Sequence, residues 1–563
     1  MASEPEQKPK GLSGARLWTV LVLLVGVAGF LGAAAGVYVY REWRQNQTVE
    51  RAQDAVRAQK VDARRKVSPG SRYAVQFSTK TLFPKFAPGQ RRYVTRCAPS
   101  KVDVQVNALD GATVQVQGSP AATGRFKTEA RPVPGQDFRI DVSGAGEGLD
   151  GAYRVRCLPV GFPKWKYERF RVPPKGEFVV ALRPKPQDDN RAWVIAFDQD
   201  GVPVWWFSPE INSLWAQILP DGRLHWARGF GDGFGQDDRG AHDIATLTGE
   251  SIRTIKPVGT RNDGHELFLL KNGNAMVMSY RPRYGVDLSA YGLGKDEGVL
   301  DGEIQELNPN GKVVWRWNSG DHIGLEQVPR HWRERVYGNP HTDTDGRDRY
   351  DTFHLNSIQQ IGSDKVLIST RHTNAVYMLS KKTGEVLWKL GGTPTDQSLK
   401  VTGPDPFRDQ PLRGNHDARL DGNVLSVHDN RSHTRDPPRL VRYRIDAKRG
   451  TARFLSQYTD PKGARFSMCC GGARQFGTGW LVAWGNAGTV SSFDSRGKLA
   501  FRLTLPAPTY RAIPVPDSIT PARLDAALEK VESEFGPPSR AIRAIERFPR
   551  KQGQAGQGKQ DSG

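Results

Sequence analysis

Three short strings in the middle of this 563-residue chain carry side chains suited to holding and transferring a compact oxyanion. They are Asp351-Thr-Phe-His354-Leu-Asn356-Ser, Ser369-Thr-Arg371-His372 and Gly414-Asn415-His416-Asp417-Ala-Arg419. Imidazole titrates nearest neutral pH, so it serves as nucleophile, acid or base. Arg and Asn add N–H donors for negatively charged oxygens. A fourth string, Asp263-Gly264-His265-Glu266, has the same character. All eleven histidines fall between His225 and His433, so the chemistry is confined to one stretch of chain.

Histidine also binds zinc. The chain has no His-Glu-x-x-His and no Cys-x-x-Cys, and Arg371 would repel a cation, so no metal is expected. His322, His331 and His341 sit with Trp332 and Pro340 in an insertion that reads either as a lid or as a plain surface loop. His428 and His433 flank Asp429-Asn430-Arg431 and are candidates for a site rim.

The elements that must position these strings follow a repeat. A glycine turn followed by an apolar strand recurs six times, at Gly201, Gly249, Gly311, Gly384, Gly450 and Gly497. Between these copies lies a second set of strands, such as Gly273-Asn-Ala-Met-Val-Met and Asp364-Lys-Val-Leu-Ile-Ser. Four short strands per unit make a propeller blade of this size. The fold class expected is therefore all-β: a six-bladed β-propeller over 175–506. In a propeller the inner strands line a central channel, where side chains from several blades meet. Alternation puts His354 and Asn356 on one strand face. Arg371 and His372 end the next strand, and the strings holding His265 and His416 each precede an inner strand.

The preceding region reads differently. Residues 68–174 show short alternating runs such as Lys101-Val-Asp-Val-Gln-Val, which predict a small β-sandwich. Tyr93-Val-Thr-Arg-Cys97 and Tyr153-Arg-Val-Arg-Cys157 are similar strings that a disulfide would join, the alternative being two buried thiols in neighbouring strands. Such a bridge belongs in an oxidising compartment. Leu17 to Tyr40 carries no charge and is long enough to span a bilayer at about 1.5 Å per residue. It reads as a transmembrane anchor; a cleaved signal peptide, with Ala33-Ala34-Ala35 as the cleavage site, is the rival reading. Residues 1–16 then form a cytoplasmic N-terminus and 41–67 a helical stalk. A helix is expected at Thr520 to Phe535, within a basic, partly disordered tail over 507–563. The net charge of +21 comes with no nucleic-acid motif, so it reads as a basic surface and not as nucleic-acid binding. Oligomeric state and the pairing of Cys469 and Cys470 are not legible.

The ordered strings Asp351-Thr-Phe-His-Leu-Asn-Ser-Ile, Val366-Leu-Ile-Ser-Thr-Arg-His-Thr-Asn, Gly384-Glu-Val-Leu-Trp-Lys-Leu-Gly-Gly392, Gly414-Asn-His-Asp-Ala-Arg419 and Ser426-Val-His-Asp-Asn430 resemble the arylsulfotransferase family, the PAPS-independent bacterial type, in its broader second branch. The resemblance covers about residues 160–505. It implies a six-bladed propeller and transfer of a sulfuryl group from an aryl sulfate donor to a phenolic acceptor, with no cofactor. By motif, His416 matches the nucleophile that becomes sulfohistidine, His354 and Asn356 the sulfate-binding pair, Arg371 the sulfate-binding Arg, and His265 the His of an earlier blade. His372 and Asn415, beside them, are further candidates for binding substrate. The resemblance, with the cysteines, places the bulk of the chain outside the cytoplasm on a single-pass anchor. Two other readings compete. Thr-Gly-Glu-Val-Leu-Trp388 also resembles the tryptophan-docking repeat of quinoproteins, although those typically have eight blades. A non-catalytic binding propeller at the cell surface is the third.

Overall fold

The structure, a computed structural model, describes residues 73–535 apart from 98–100, 110, 133–136, 183–191, 210–212, 229–235, 238–239 and 343–345. The expected anchor at 17–40, its flanking segments 1–16 and 41–67, and the tail beyond 535 lie outside the described residues. Among the described residues no helix is long and apolar enough to cross a membrane.

The chain is all-β, built from many small sheets. Among the described residues up to Leu158 it forms two of them. Val75–Ser78, Val102–Ala108 and Gly124–Ala130 make one; Arg92–Arg96, Gly151–Leu158, Asp137–Ser143 and Thr113–Val116 make the other. Every second side chain of Val102–Ala108 is buried, the period of a strand with one face on a core. The sheets meet through Phe77, whose ring lies 5.3 Å from both Tyr93 and Tyr153. Cys97 and Cys157 are disulfide-bonded, with Cα atoms 5.4 Å apart, where Arg92–Arg96 runs parallel to Gly151–Leu158.

Six further sheets follow. The second begins with Ser213–Ile218, the third with Arg261–Leu269, the fourth with Leu355–Ile361, the fifth with His416–Asp421 and the sixth with Gly472–Phe476. Each of these five contains an antiparallel meander of four strands that starts there, and the third, fifth and sixth carry further strands beside it. The first sheet has three consecutive strands, Glu177–Leu182, Trp193–Asp198 and Pro203–Phe207, and takes its fourth, Ala512–Pro514, from beyond the sixth sheet. Conversely, Lys166–Arg169 extends the outer edge of the sixth sheet beside Leu499–Thr504. Strands of these sheets thus reach past 175–506 at both ends, because pairing each open edge satisfies backbone groups it would otherwise expose.

The six repeated glycines occupy one structural position. Each turns the chain between the third and the last strand of its sheet, with φ between 63° and 90°. That left-handed conformation is open to glycine at little cost, which is why the residue recurs.

Middle strands such as Trp193–Asp198 are buried along their whole length, whereas the outer strand Ser251–Ile255 is mostly exposed. Sheets therefore pack face to face through their middle strands. Leu267 and Val277 of the third sheet share a core with Ile244 of the second. Ile304 meets Ile358 and Tyr377 of the fourth, Leu367 meets Val427 and Val441 of the fifth, and Leu440 meets Val482 of the sixth. One core joins Leu481 and Phe501 of the sixth sheet, Phe178 and Ile195 of the first and Trp226 of the second. The succession of cores closes on itself. Helix α1 (Arg330–Tyr337) belongs to the insertion after the third sheet. Helix α2 (Pro521–Phe535) lies close to the expected bounds and buries Leu524 and Leu528 against the first sheet.

Candidate active site

First strands from successive sheets bring the histidine strings together. His416 opens the first strand of the fifth sheet. His354 stands immediately before that of the fourth. His265 lies inside that of the third and not ahead of it, where the pairing slips between Asp263 and Leu267. The expectation that His354 and Asn356 share a strand face does not hold. His354 has φ 52°, outside extended geometry, and the register shifts between Leu355 and Ser357, so a period of two does not apply across this segment.

The tautomer of His416 follows from its partners. Asn430 Nδ2 donates to Ser467 Oγ (2.7 Å) and to the Cys470 carbonyl (2.9 Å), so its Oδ1 faces His416 as an acceptor. His416 Nδ1 lies 2.8 Å from that oxygen and 3.0 Å from the Gly414 carbonyl, and must carry the proton. On the other side the Cys470 backbone N–H donates to Nε2 over 3.1 Å. His416 is thus neutral with its lone pair on Nε2. Burial holds its pKa well below the usual imidazole range, and Arg371 adds repulsion.

His354 and His265 each pair Nδ1 with a carboxylate, Asp351 and Asp263 respectively. Their rings are 5.0 Å apart. His372 packs 4.8 Å from His354, and its Nδ1 donates to the Asp351 carbonyl over 2.6 Å. Burial lowers the pKa of both His354 and His372 well below the usual value. Arg371 donates from Nη1 to His372 Nε2 (3.0 Å) and from Nη2 to the Met468 carbonyl (2.8 Å), while its Nε, also buried, has no partner among the described residues. The insertion reaches this point: the Trp332 ring lies 4.6 Å from the Arg371 guanidinium and 4.6 Å from His372. His331, beside it, accepts from Asn374 Nδ2, whereas His322 stacks on Trp317.

Asn356 and Asn415 are engaged with protein atoms. Asn356 Nδ2 donates to the Asn415 carbonyl (2.8 Å) and its Oδ1 accepts from Asp417 N–H (3.4 Å), bracketing His416. Asn415 Nδ2 donates to Ser369 Oγ and the Ala375 carbonyl. Both side chains anchor the segment that carries His416 to the fourth sheet.

Six non-glycine residues among those described have left-handed φ: His354, Asn374, Asp417, Arg431, His433 and Cys470. His354, Asp417 and Cys470 lie in this cluster, and Asn374 and His433 brace Trp332 beside it. Asn374 accepts from Trp332 Nε1 (2.7 Å) and Gly414 N–H (2.8 Å), and His433 packs 4.9 Å from Trp332. Each such residue costs about 1–3 kcal/mol, and such strain gathers at functional sites.

A buried ionic cluster ties four sheets together beside His416. Asp417 pairs with Arg474, with Arg419 (3.0 Å) and with Arg511 (3.3 Å). Glu266 pairs with Arg419 and with Arg511 (3.1 Å). Arg511 also donates to the Asn356 carbonyl over 2.9 Å.

Sequence reasoning missed several members of the site. Tyr510 sits 5.6 Å from His265 and 6.1 Å from His416, ring to ring, with a buried hydroxyl that has no partner among the described residues. Burial pushes its pKa well above the usual phenol value, so it stays a donor. No local motif marks Tyr510; it arrives with the closing strand Ala512–Pro514. Asn430 was visible only as the residue after Val-His-Asp. Tyr280, whose hydroxyl is 3.5 Å from His354 Nδ1, carries no signal either. Asp351, His354 and His372 hold possible metal-ligand atoms within 4.8 Å of one another. The Arg371 N–H already donates to His372 Nε2, which sets a positive charge against a cation at that point.

Residues 224–505, half of the chain, match the family model described as arylsulfotransferase (ASST). No curated protein matches. Among solved structures, a protein of unknown function from Bacteroides caccae is 12% identical with a TM-score of 0.36, covering 61% of this chain and 100% of its own. The periplasmic gluconolactonase of Pseudomonas aeruginosa is 13% identical with a TM-score of 0.33, over 61% and 98%. Apo AztD from Citrobacter koseri is 11% identical with a TM-score of 0.28, over 61% and 98%. Likenesses at that level carry no argument about this chain.

Proposed function

The chain belongs to the arylsulfotransferase family, and from that premise we propose that it moves a sulfuryl group from an aryl sulfate to a phenolic acceptor, without PAPS, through a sulfohistidine on His416. The observation that carries this reading is the neutral, Nδ1-protonated state of His416, buried among Arg371, His354 and Tyr510. In the first half-reaction Nε2 leaves the Cys470 amide and attacks sulfur. The N–S bond forms, the S–O bond to the aryl group breaks, and the phenolate departs with a proton from His354, which took that proton up on Nε2 when the anionic donor bound. In the second half-reaction the acceptor hydroxyl returns that proton to His354 and attacks sulfur, breaking the N–S bond. Splitting the transfer this way replaces one difficult step with two. Arg371 and the Tyr510 hydroxyl supply donors to the sulfuryl oxygens where charge develops.

The six sheets whose cores close on one another are read as six blades of a β-propeller, with Ala512–Pro514 and Lys166–Arg169 as its closing strands. The β-sandwich expected over 68–174 is read as a supporting domain that ends near Leu158, because Lys166–Arg169 joins the sixth sheet. Residues 17–40 are read as a single-pass anchor that places the bulk of the chain outside the cytoplasm, in keeping with the Cys97–Cys157 bridge.

Purified protein incubated with a chromogenic aryl sulfate and a phenol should release chromophore. Its intact mass should rise by about 80 Da, the mass of an acid-labile SO₃ adduct on the attacking nitrogen. His416→Ala should lose both signals. Absence of turnover and adduct in the wild-type protein would sink the proposal.

A further inference from the structure

Cys469 and Cys470 lie in the loop that leads into the sixth sheet, directly against His416. Their Sγ atoms are 2.6 Å apart, closer than non-bonded sulfur atoms pack. Cys470 has φ 69° and Gly471 φ 97°, a cramped backbone of the kind a short covalent ring requires. The loop is tied at each residue around the pair. Met468 accepts from Arg371 Nη2 and Ser432 Oγ, both at 2.8 Å. Cys469 accepts from Ser467 Oγ (3.1 Å) and Cys470 from Asn430 Nδ2 (2.9 Å). A Cβ at Gly485 would fall 2.2 Å from the Cys469 carbonyl, so neighbouring backbone presses on the turn.

We propose that Cys469 and Cys470 close into a vicinal disulfide by exchange with an oxidised protein dithiol, and that this small ring holds the Cys470 amide on His416 Nε2. The two thiols lose two protons and two electrons as the S–S bond forms, and the partner's disulfide is reduced to two thiols. The bridge itself stands apart from the proposed sulfuryl transfer; only the importance of the hold on Nε2 rests on it. Adjacent Cα atoms are about 3.8 Å apart, short of the ~4.4–6.8 Å that ordinary disulfides span, so this bridge is strained and opens before Cys97–Cys157.

The test is peptide mass mapping of the full chain, purified without reductant and denatured in an alkylating reagent. The peptide holding both cysteines should be unalkylated and lighter by about 2 Da than its dithiol form. Graded reduction should open it before the Cys97–Cys157 bridge. Hydrogen exchange at the Cys470 amide should then speed at least tenfold, as should exchange in Cys469→Ser/Cys470→Ser. Should the double variant not fold, the reduced wild-type protein supplies the same arm. Alkylation of both cysteines as purified overturns the bridge. Equal amide exchange in bridged and reduced protein overturns its hold on His416. Neither readout uses sulfuryl transfer, so failure here and failure of the enzymatic reading are separate results.

Discussion

Asn430 Oδ1 accepts from His416 Nδ1 over 2.8 Å and, together with the Gly414 carbonyl, holds the proton on Nδ1 and the lone pair on Nε2. Two further bonds from Asn430 Nδ2 fix the amide so that it cannot turn its NH₂ toward the imidazole. Asn430→Ala should leave His416 able to adopt the wrong tautomer and lower transfer by about 10–100-fold, the usual cost of losing such a supporting group. Steady-state rates beside an unchanged circular dichroism spectrum check this. An unaltered rate would show that the Gly414 carbonyl suffices.

Tyr510→Phe separates catalysis from stability. Its hydroxyl is buried without a partner among the described residues, so its removal should leave the protein at least as stable. Transfer should nonetheless fall about 10²-fold, as when a donor to a charged transition state is lost. A thermal melt and a turnover assay on the same sample give both readings.

Sulfate binding should tighten as pH falls from 7 toward 5. His354, His372 and His416 are held neutral in the free protein by burial and Arg371. An anion beside them favours their charged forms and raises their pKa, so binding takes up protons. Calorimetry in two buffers of different ionisation enthalpy measures that uptake; zero uptake, with flat affinity, contradicts it.

Acid stability has a defined window. Burial lowers His242 and His428 from 6.5 to about 4 in the folded protein. Above 6.5 both states are neutral and neither group affects stability. Below it the unfolded chain binds the proton first, so stability falls from pH 6.5 to about 4 and then levels. Each group withdraws up to ~3 kcal/mol over that window. Denaturant midpoints across this pH range test it, and a flat profile would refute it.

Asp417→Asn should destabilise the fold by about 3–5 kcal/mol, because it leaves Arg474 without its buried countercharge and Arg511 with Glu266 alone. Chemical denaturation is the measurement, with a surface change such as Asp446→Asn as the control.

The repeat was legible because its cause is local. A turn at left-handed φ needs glycine whatever surrounds it, so Gly201 to Gly497 announce six equivalent hairpins. His354, Arg371 and His416 were legible because compact donor and acceptor side chains recur in short strings. Tertiary structure alone decided the rest. Tyr510 and Arg511 reach the site only because Ala512–Pro514 crosses back to the first sheet. The alternation that placed His354 beside Asn356 failed because strained backbone obeys no strand period. The protonation state of His416 depends on Asn430 and Cys470, at separations of 14 and 54 residues. Sequence spacing reports what neighbours along a chain require, whereas a proton's position is set by whichever groups the fold brings within hydrogen-bonding reach.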